Sequence, residues 1–280
     1  MSSALKVGLP GAVLLIACAL LVRFQGQLQP LLNIPANPET PNLTPEEIQT
    51  HLHMLRAFAV LTGAGALFSF TAAIWMARPA PGSRAALTVA GWLLRLTLLA
   101  LVLVVLGSQV RALTTPGYFD GRAGALLGVL LSLVLGLPAT ALAWTALNRF
   151  THWAAEALRW NEQSENGRLQ RLFRSMSGSW HLLSGLLLFV GLLLVPVALL
   201  DLPHPRAQTV STVLDRTVIA QQKPLLIMVT LSLIASGLSA WFLRRAAADR
   251  TAQLDRQHSR MDRVLRRPTA EPAAGTAEVP

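Results

Sequence analysis

Six apolar stretches divide this chain, and none of them contains an aspartate or a glutamate. They run over 7–24, 55–76, 89–110, 123–147, 180–200 and 225–243. A hydrocarbon core about 30 Å thick is crossed by roughly 17–25 residues of α-helix, so each stretch is long enough. In lipid a backbone must satisfy its own N–H and C=O groups, which leaves helices as the outcome for apolar runs of this length. The expected fold class is all-α, a polytopic membrane helix bundle with six transmembrane helices filling 1–245. Composition agrees: 52% of the 280 residues are hydrophobic and only 14% charged, with a mean hydropathy of +0.47, too apolar for an ordinary soluble domain. The connections between stretches are too short to hold a soluble catalytic domain.

Charge sets the orientation. Of the 24 Lys and Arg, 16 fall on the side that holds both termini and the second and fourth connections, 7 fall on the other side, and Arg95 lies within the third stretch. By the positive-inside rule both termini are cytoplasmic. All seven tryptophans then sit at or beyond cytoplasmic helix ends, where an indole buries its ring and hydrogen-bonds its nitrogen. Trp75, Trp92, Trp144, Trp180 and Trp241 are read as membrane anchors, together with Arg95 and Arg111. Lysine occurs only at Lys6 and Lys223, and the preference for arginine fits a GC-rich bacterial genome. The expected location is the bacterial cytoplasmic (inner) membrane, with the chain a multi-pass protein.

The net charge of +10 does not imply nucleic acid, because the arginines cluster beside helix ends rather than in a recognition motif. Anionic headgroups on the cytoplasmic side explain them better. The segment 148–179 is expected to be cytoplasmic and amphipathic. Its second half sets Leu169, Leu172, Phe173 and Met176 at helical spacing, with Arg168, Arg171 and Arg174 elsewhere on the wheel. Two surfaces suit that stripe: the headgroup layer, or a partner or the chain's own tail. The sixth stretch is expected to stop at the interface at Arg244-Arg245, with the helix continuing on the cytoplasmic side over 246–267, and a disordered tail is expected over 268–280. Arg168, Arg171, Arg174, Arg244 and Arg245 form the expected lipid or partner surface.

Several local features modulate this frame. Thr44-Pro45-Glu46-Glu47 predicts a second helix starting at Pro45. Pro138 is expected to kink the fourth helix and Pro196 to interrupt the fifth. Gly124 and Gly128 make a GxxxG spacing, read as close packing. Leu15-Ile16-Ala17-Cys18 has the form of a lipidation signal, but the apolar run continues to Phe24, so an uncleaved helix is expected.

A charge inside a membrane helix is by default a functional hypothesis. Arg95, however, lies only about 4.5 Å deeper than Trp92. Its side chain leans toward the cytoplasm and can snorkel, Gly91 leaves it room, and Trp92 offers a cation–π face. Arg95 is therefore read as an interfacial anchor.

Reactive groups are scarce. With no carboxylate in any apolar stretch there is no intramembrane acid–base pair, and neither a His-Glu-x-x-His nor a phosphate-binding loop occurs. No catalytic residue, metal site or cofactor is expected. Haem would need matched axial ligands such as His152 and His181, and His51 and His53, about 200° apart on a helix, cannot share a ligand face. The expected function is a non-catalytic membrane subunit or scaffold that engages a protein partner, or a second copy, through its basic cytoplasmic helices. The alternatives are a small-solute transporter or channel and a haem- or metal-binding membrane protein. Hydroxyls of Thr140, Ser132, Ser232 and Ser236 converging on a midplane cavity would favour the transporter.

Overall fold

The computed structural model describes residues 3–28, 45–114, 129–130, 132–163, 168–199 and 213–265. Among these residues the protein is entirely helical, without strands. In order the helices are α1 (Ser3–Leu28), α2 (Pro45–Ala77), α3 (Pro81–Thr114), α4 (Leu137–Gln163), α5 (Arg168–Leu199) and α6 (Val213–Leu265). Five of them, all but α4, are long and apolar enough to cross a membrane. The fourth expected span, 123–147, is described only in part, and Gly124, Gly128 and the tail 268–280 lie outside the described residues.

Helix ends follow local chemistry. α2 starts at Pro45, where a missing N–H and a preset φ cost a first turn nothing. Between α2 and α3 the Ala80 amide donates to Ser83 Oγ at 3.0 Å, the half of a capping box in which the side chain three residues into the helix satisfies the amide at its start. Ahead of α4 the chain takes a π-helical turn over Ser132–Gly136. That widened turn gives the Pro138 ring space against the preceding carbonyls. Thr140 Oγ1 donates to the Gly136 carbonyl at 2.8 Å, which occupies an acceptor in the loosened turn.

One expectation about helix ends is corrected. Pro196 does not interrupt α5, which continues to Leu199; a proline removes the one bond to the carbonyl four residues earlier and crowds it, while the bonds of the neighbouring residues hold the helix. Past Arg244-Arg245 the helix continues, as expected. α6 spans 53 residues, about 80 Å at 1.5 Å per residue; from Arg244 to Leu265 arginine and alanine, both strong helix formers, recur and no glycine or proline intervenes.

The helices close a ring. Each packs on its successor in the chain, and α6 returns to pack on α1. Small residues permit the tight seams. A Cβ added to Gly191 on α5 would lie 2.8 Å from Ile234 Cγ1, and one added to Gly237 on α6 would lie 2.7 Å from Leu188 Cγ. The contact is reciprocal: each glycine receives the branched residue three positions before the other. At the α1–α2 seam, Gly11 sits where a Cβ would be 3.0 Å from Ser69 Cβ, and Gly63 faces Cys18 Sγ at 3.2 Å. Outward, α3 presents Val89, Leu96, Leu103 and Val110 at seven-residue intervals, all exposed, the stripe a lipid-facing helix requires.

The second half of α4, the start of α5 and the end of α6 form a three-helix extension. Leu169, Met176, Ala247 and Leu254 are buried within it. Of the two surfaces that suit the 168–179 stripe, the chain's own α4 and α6 cover it. Arg168 pairs with Glu156 at 3.6 Å and Gln170 Nε2 donates to Asp255 Oδ2 at 3.0 Å.

Candidate binding site

Inside the ring lies a cavity of about 220 Å³ to which all six helices contribute. Leu14 of α1, Leu94 and Leu98 of α3, and Ala143 and Leu147 of α4 make apolar walls, with Phe68 and Trp180 at one end. Six hydroxyls also line it: Thr62, Ser69, Thr140, Ser232, Ser236 and Ser239. Most are already committed. Thr62 Oγ1 donates to the Ala59 carbonyl at 2.9 Å, Thr140 to Gly136, and Ser232 Oγ to the Met228 carbonyl at 2.8 Å. Ser69 and Ser239 bond each other. Ser236 makes no hydrogen bond among the described residues and is the hydroxyl left for a guest.

No charged side chain lines this space, so nothing among the described residues replaces the hydration shell of an ion. An apolar guest fits better. A buried cavity of about 150 Å³ lined by aliphatic and aromatic side chains stays dry and accepts a benzene ring. A pocket for a whole drug-sized ligand is about 300–1,000 Å³. The space here is intermediate, suited to the apolar portion of a larger molecule.

Phe68 and Trp180 belong to a packed aromatic cluster. Phe68 meets Phe150 edge-on with ring centroids 5.8 Å apart and stacks on Trp180 at 6.4 Å. Phe150 meets Trp180 at 5.9 Å and Trp153 at 5.7 Å, and Trp153 meets Trp75 at 5.5 Å. Trp153 Nε1 donates to Thr251 Oγ1 on α6 at 3.2 Å, tying the extension to this cluster. Aromatic pairs in such geometries contribute about 0.5–1.5 kcal/mol each beyond their buried area.

The residues expected to anchor the protein in the membrane divide by position. Trp75 and Trp180 are buried between helices and belong to the aromatic cluster, each with its Nε1 lacking a hydrogen-bond partner. Trp92 is 52% exposed on the outer surface of α3, and Trp144 stands against it with centroids 6.5 Å apart. Trp241 is half-buried against Phe242 at 4.9 Å and under Arg245 at 5.5 Å. Arg111 is exposed in the last turn of α3. Arg168, Arg171, Arg174 and Arg245 are exposed and Arg244 is half-buried.

Arg95 occupies a built environment. It is only 3% exposed, with its guanidinium carbon 5.0 Å from the Trp92 ring centroid and 5.9 Å from that of Trp144. Nη2 donates to Thr151 Oγ1 at 3.1 Å. Thr151 packs beside Gly91, where an added Cβ would meet Thr151 Cγ2 at 3.4 Å, an ordinary contact. The Trp92 contact is the one its spacing anticipates; Trp144 and Thr151, more than 45 positions away along the chain, are supplied by the fold.

Of the hydroxyls proposed from sequence to converge on a cavity, Thr140, Ser232 and Ser236 do so, and the Ser132 side chain lies outside the described residues. Sequence reasoning missed Thr62, Ser69 and Ser239. The signal was present: Ser232, Ser236 and Ser239 are spaced i, i+4 and i+7, and Thr62 and Ser69 i and i+7, each set on one helical face. His152 on α4 and His181 on α5 are both exposed, and among the described residues no group of three or more His, Cys, Asp or Glu could hold a metal ion. Compared with known protein families, with characterised proteins and with solved structures, the chain matches none.

Proposed function

We propose that the protein is an integral membrane protein that seats the apolar part of a small amphiphilic molecule in the cavity between its six helices, without catalysing a reaction. The observation that supports this is the cavity of about 220 Å³, walled by leucine and aromatic side chains and offering one hydroxyl, Ser236, that makes no hydrogen bond among the described residues. Within this reading α4 with its preceding turn completes a sixth span. Both termini lie on the cytoplasmic side of a bacterial inner membrane, in keeping with the arginine distribution.

A brominated long-chain alkane, added to the purified protein, tests the cavity because bromine quenches nearby indoles and Trp180 lines one end. Saturable quenching is expected in the natural protein and its loss in Ala143→Phe, which fills the space. Quenching of equal extent in both would sink the proposal. Orientation is tested separately by labelling single cysteines in 25–44 and 246–265 from outside intact cells; only the first set should react.

The scaffold reading retains one supporting observation, the exposed arginines of the extension, Arg171, Arg174, Arg256 and Arg260. Its apolar stripes are consumed internally, so a partner would dock by charge. Stoichiometric co-purification lost on reversing these four charges would favour it.

A further inference from the structure

We propose that Arg95, with Trp92 and Trp144, is a binding site for the phosphate headgroup of an anionic phospholipid whose acyl chain enters the interhelical cavity. The tail half of this statement rests on the cavity reading above. The headgroup half rests on Arg95 alone.

Three observations lead there. First, the positive charge is unanswered: the apolar stretches hold no carboxylate, and among the described residues the only hydrogen bond of Arg95 goes to neutral Thr151. Two indoles favour a guanidinium but leave its charge in place, and a cation sheltered from water calls for an anion. Second, its donors are unevenly used. Nε is fully occluded with no acceptor, Nη2 is engaged by Thr151, and Nη1 makes no hydrogen bond and is not sealed off. Nη1 is thus the donor left for an anionic oxygen, which a charged guanidinium bonds more strongly than a neutral donor would.

Third, the position joins headgroup depth to the cavity. Arg95 lies about 4.5 Å along the helix from Trp92, whose exposed ring marks the lipid-facing surface. Leu94 and Leu98 flank it on α3, and Ala143 and Leu147 flank Trp144 on α4; all four line the cavity. The phosphate site and the apolar space therefore share the α3–α4 wall within one helical turn. A basic pocket between membrane helices at headgroup depth is a recurrent lipid site. A soluble phosphate compound would gain nothing from the adjoining apolar wall, and for that reason the source is taken to be lipid.

The test uses the full chain in mild detergent with equal amounts of phosphatidylglycerol and phosphatidylcholine of identical acyl chains, the bound lipid being counted by native mass spectrometry. The natural protein is expected to retain phosphatidylglycerol over phosphatidylcholine by roughly tenfold, the scale of one charge-assisted hydrogen-bonded contact. Arg95→Gln should bring that ratio near one while lipid is still retained, and Arg95→Lys, which keeps the charge but not the fork, should fall between. If Arg95→Gln fails to fold, the reduced ratio of Arg95→Lys carries the test. Equal retention of both lipids by the natural protein, or an unchanged ratio in the Arg95 variants, overturns the headgroup site and leaves the cavity standing. Undiminished phosphatidylglycerol binding in Ala143→Phe instead overturns the cavity reading. Displacement of the lipid by millimolar glycerol phosphate overturns the lipid as source.

Discussion

The hydroxyl oxygens of Ser69 on α2 and Ser239 on α6 lie 2.8 Å apart, both side chains buried. They are 170 positions apart along the chain, on helices that are not neighbours in the ring and otherwise make few contacts. The bond crosses the interior beside the cavity, where a hydroxyl without a partner would face only apolar groups.

Interhelical hydrogen bonds of this type contribute about 0.6 kcal/mol on average and up to about 1.7 kcal/mol. Ser69→Ala and Ser239→Ala should each destabilise by that order, and the double variant by less than their sum. A double-mutant cycle in detergent measures the coupling; strictly additive losses would show that the pair does not act as a bond.

Gly237 and Gly191 set the closeness of the α5–α6 seam. Gly237→Ala places its methyl carbon 2.7 Å from Leu188 Cγ and 3.1 Å from the Leu188 backbone nitrogen, and since backbone cannot swing aside the helices must part, at a cost of about 1–3 kcal/mol. Gly107→Ala, with nothing within 4 Å, should be neutral or stabilising by up to ~1 kcal/mol through helix propensity. Thermal unfolding of the two variants should shift in opposite directions or, for Gly107, not at all.

Trp153 Nε1 and Thr251 Oγ1 join the aromatic cluster to the extension of α6. Trp153→Phe keeps a ring beside Trp75 and Phe150 but removes the donor, a loss of about 0.5–1.5 kcal/mol. The effect should be local. Trypsin should cut faster after Arg250, Arg256 and Arg260, while the spans remain protected; equal cleavage rates would remove the tether from the account.

Cys18 lies within the continuous helix α1, and the residues before it do structural work: Val7 and Leu14 are 0% and 2% exposed. Processing ahead of Cys18 would strip these side chains from the bundle, leaving cavities of the kind that cost about 2–5 kcal/mol each. The intact mass of purified protein should therefore retain residues 2–17 and carry no lipid adduct on Cys18. A chain beginning at a lipidated Cys18 would contradict this.

Much of the frame was readable from the residues because membrane crossing depends on summed apolar transfer along a short window, a local property. The start of α2 at Pro45 was readable for the same reason. Arg95 was half readable: its contact with Trp92 lies within one turn, whereas Trp144 and Thr151 depend on how α3 and α4 are juxtaposed. Tryptophans at helix ends suit either headgroups or a protein interior, because an indole is mostly apolar with one polar edge. Trp75 and Trp180 went inward because the three-helix extension covers them, which no single stretch reveals.

By itself the sequence determined that this chain is a set of long apolar helices with basic ends and no carboxylate among its spans. Which helix faces meet was decided by tertiary structure alone. Side-chain hydrophobicity does not distinguish a neighbouring helix from lipid, so the faces are chosen by shape, through glycines that admit a particular neighbour and hydroxyls that find each other. Closure of α6 on α1 brings Leu14, Ser69 and Ser239 to one space, and that long-range contact creates the cavity from which the function is argued.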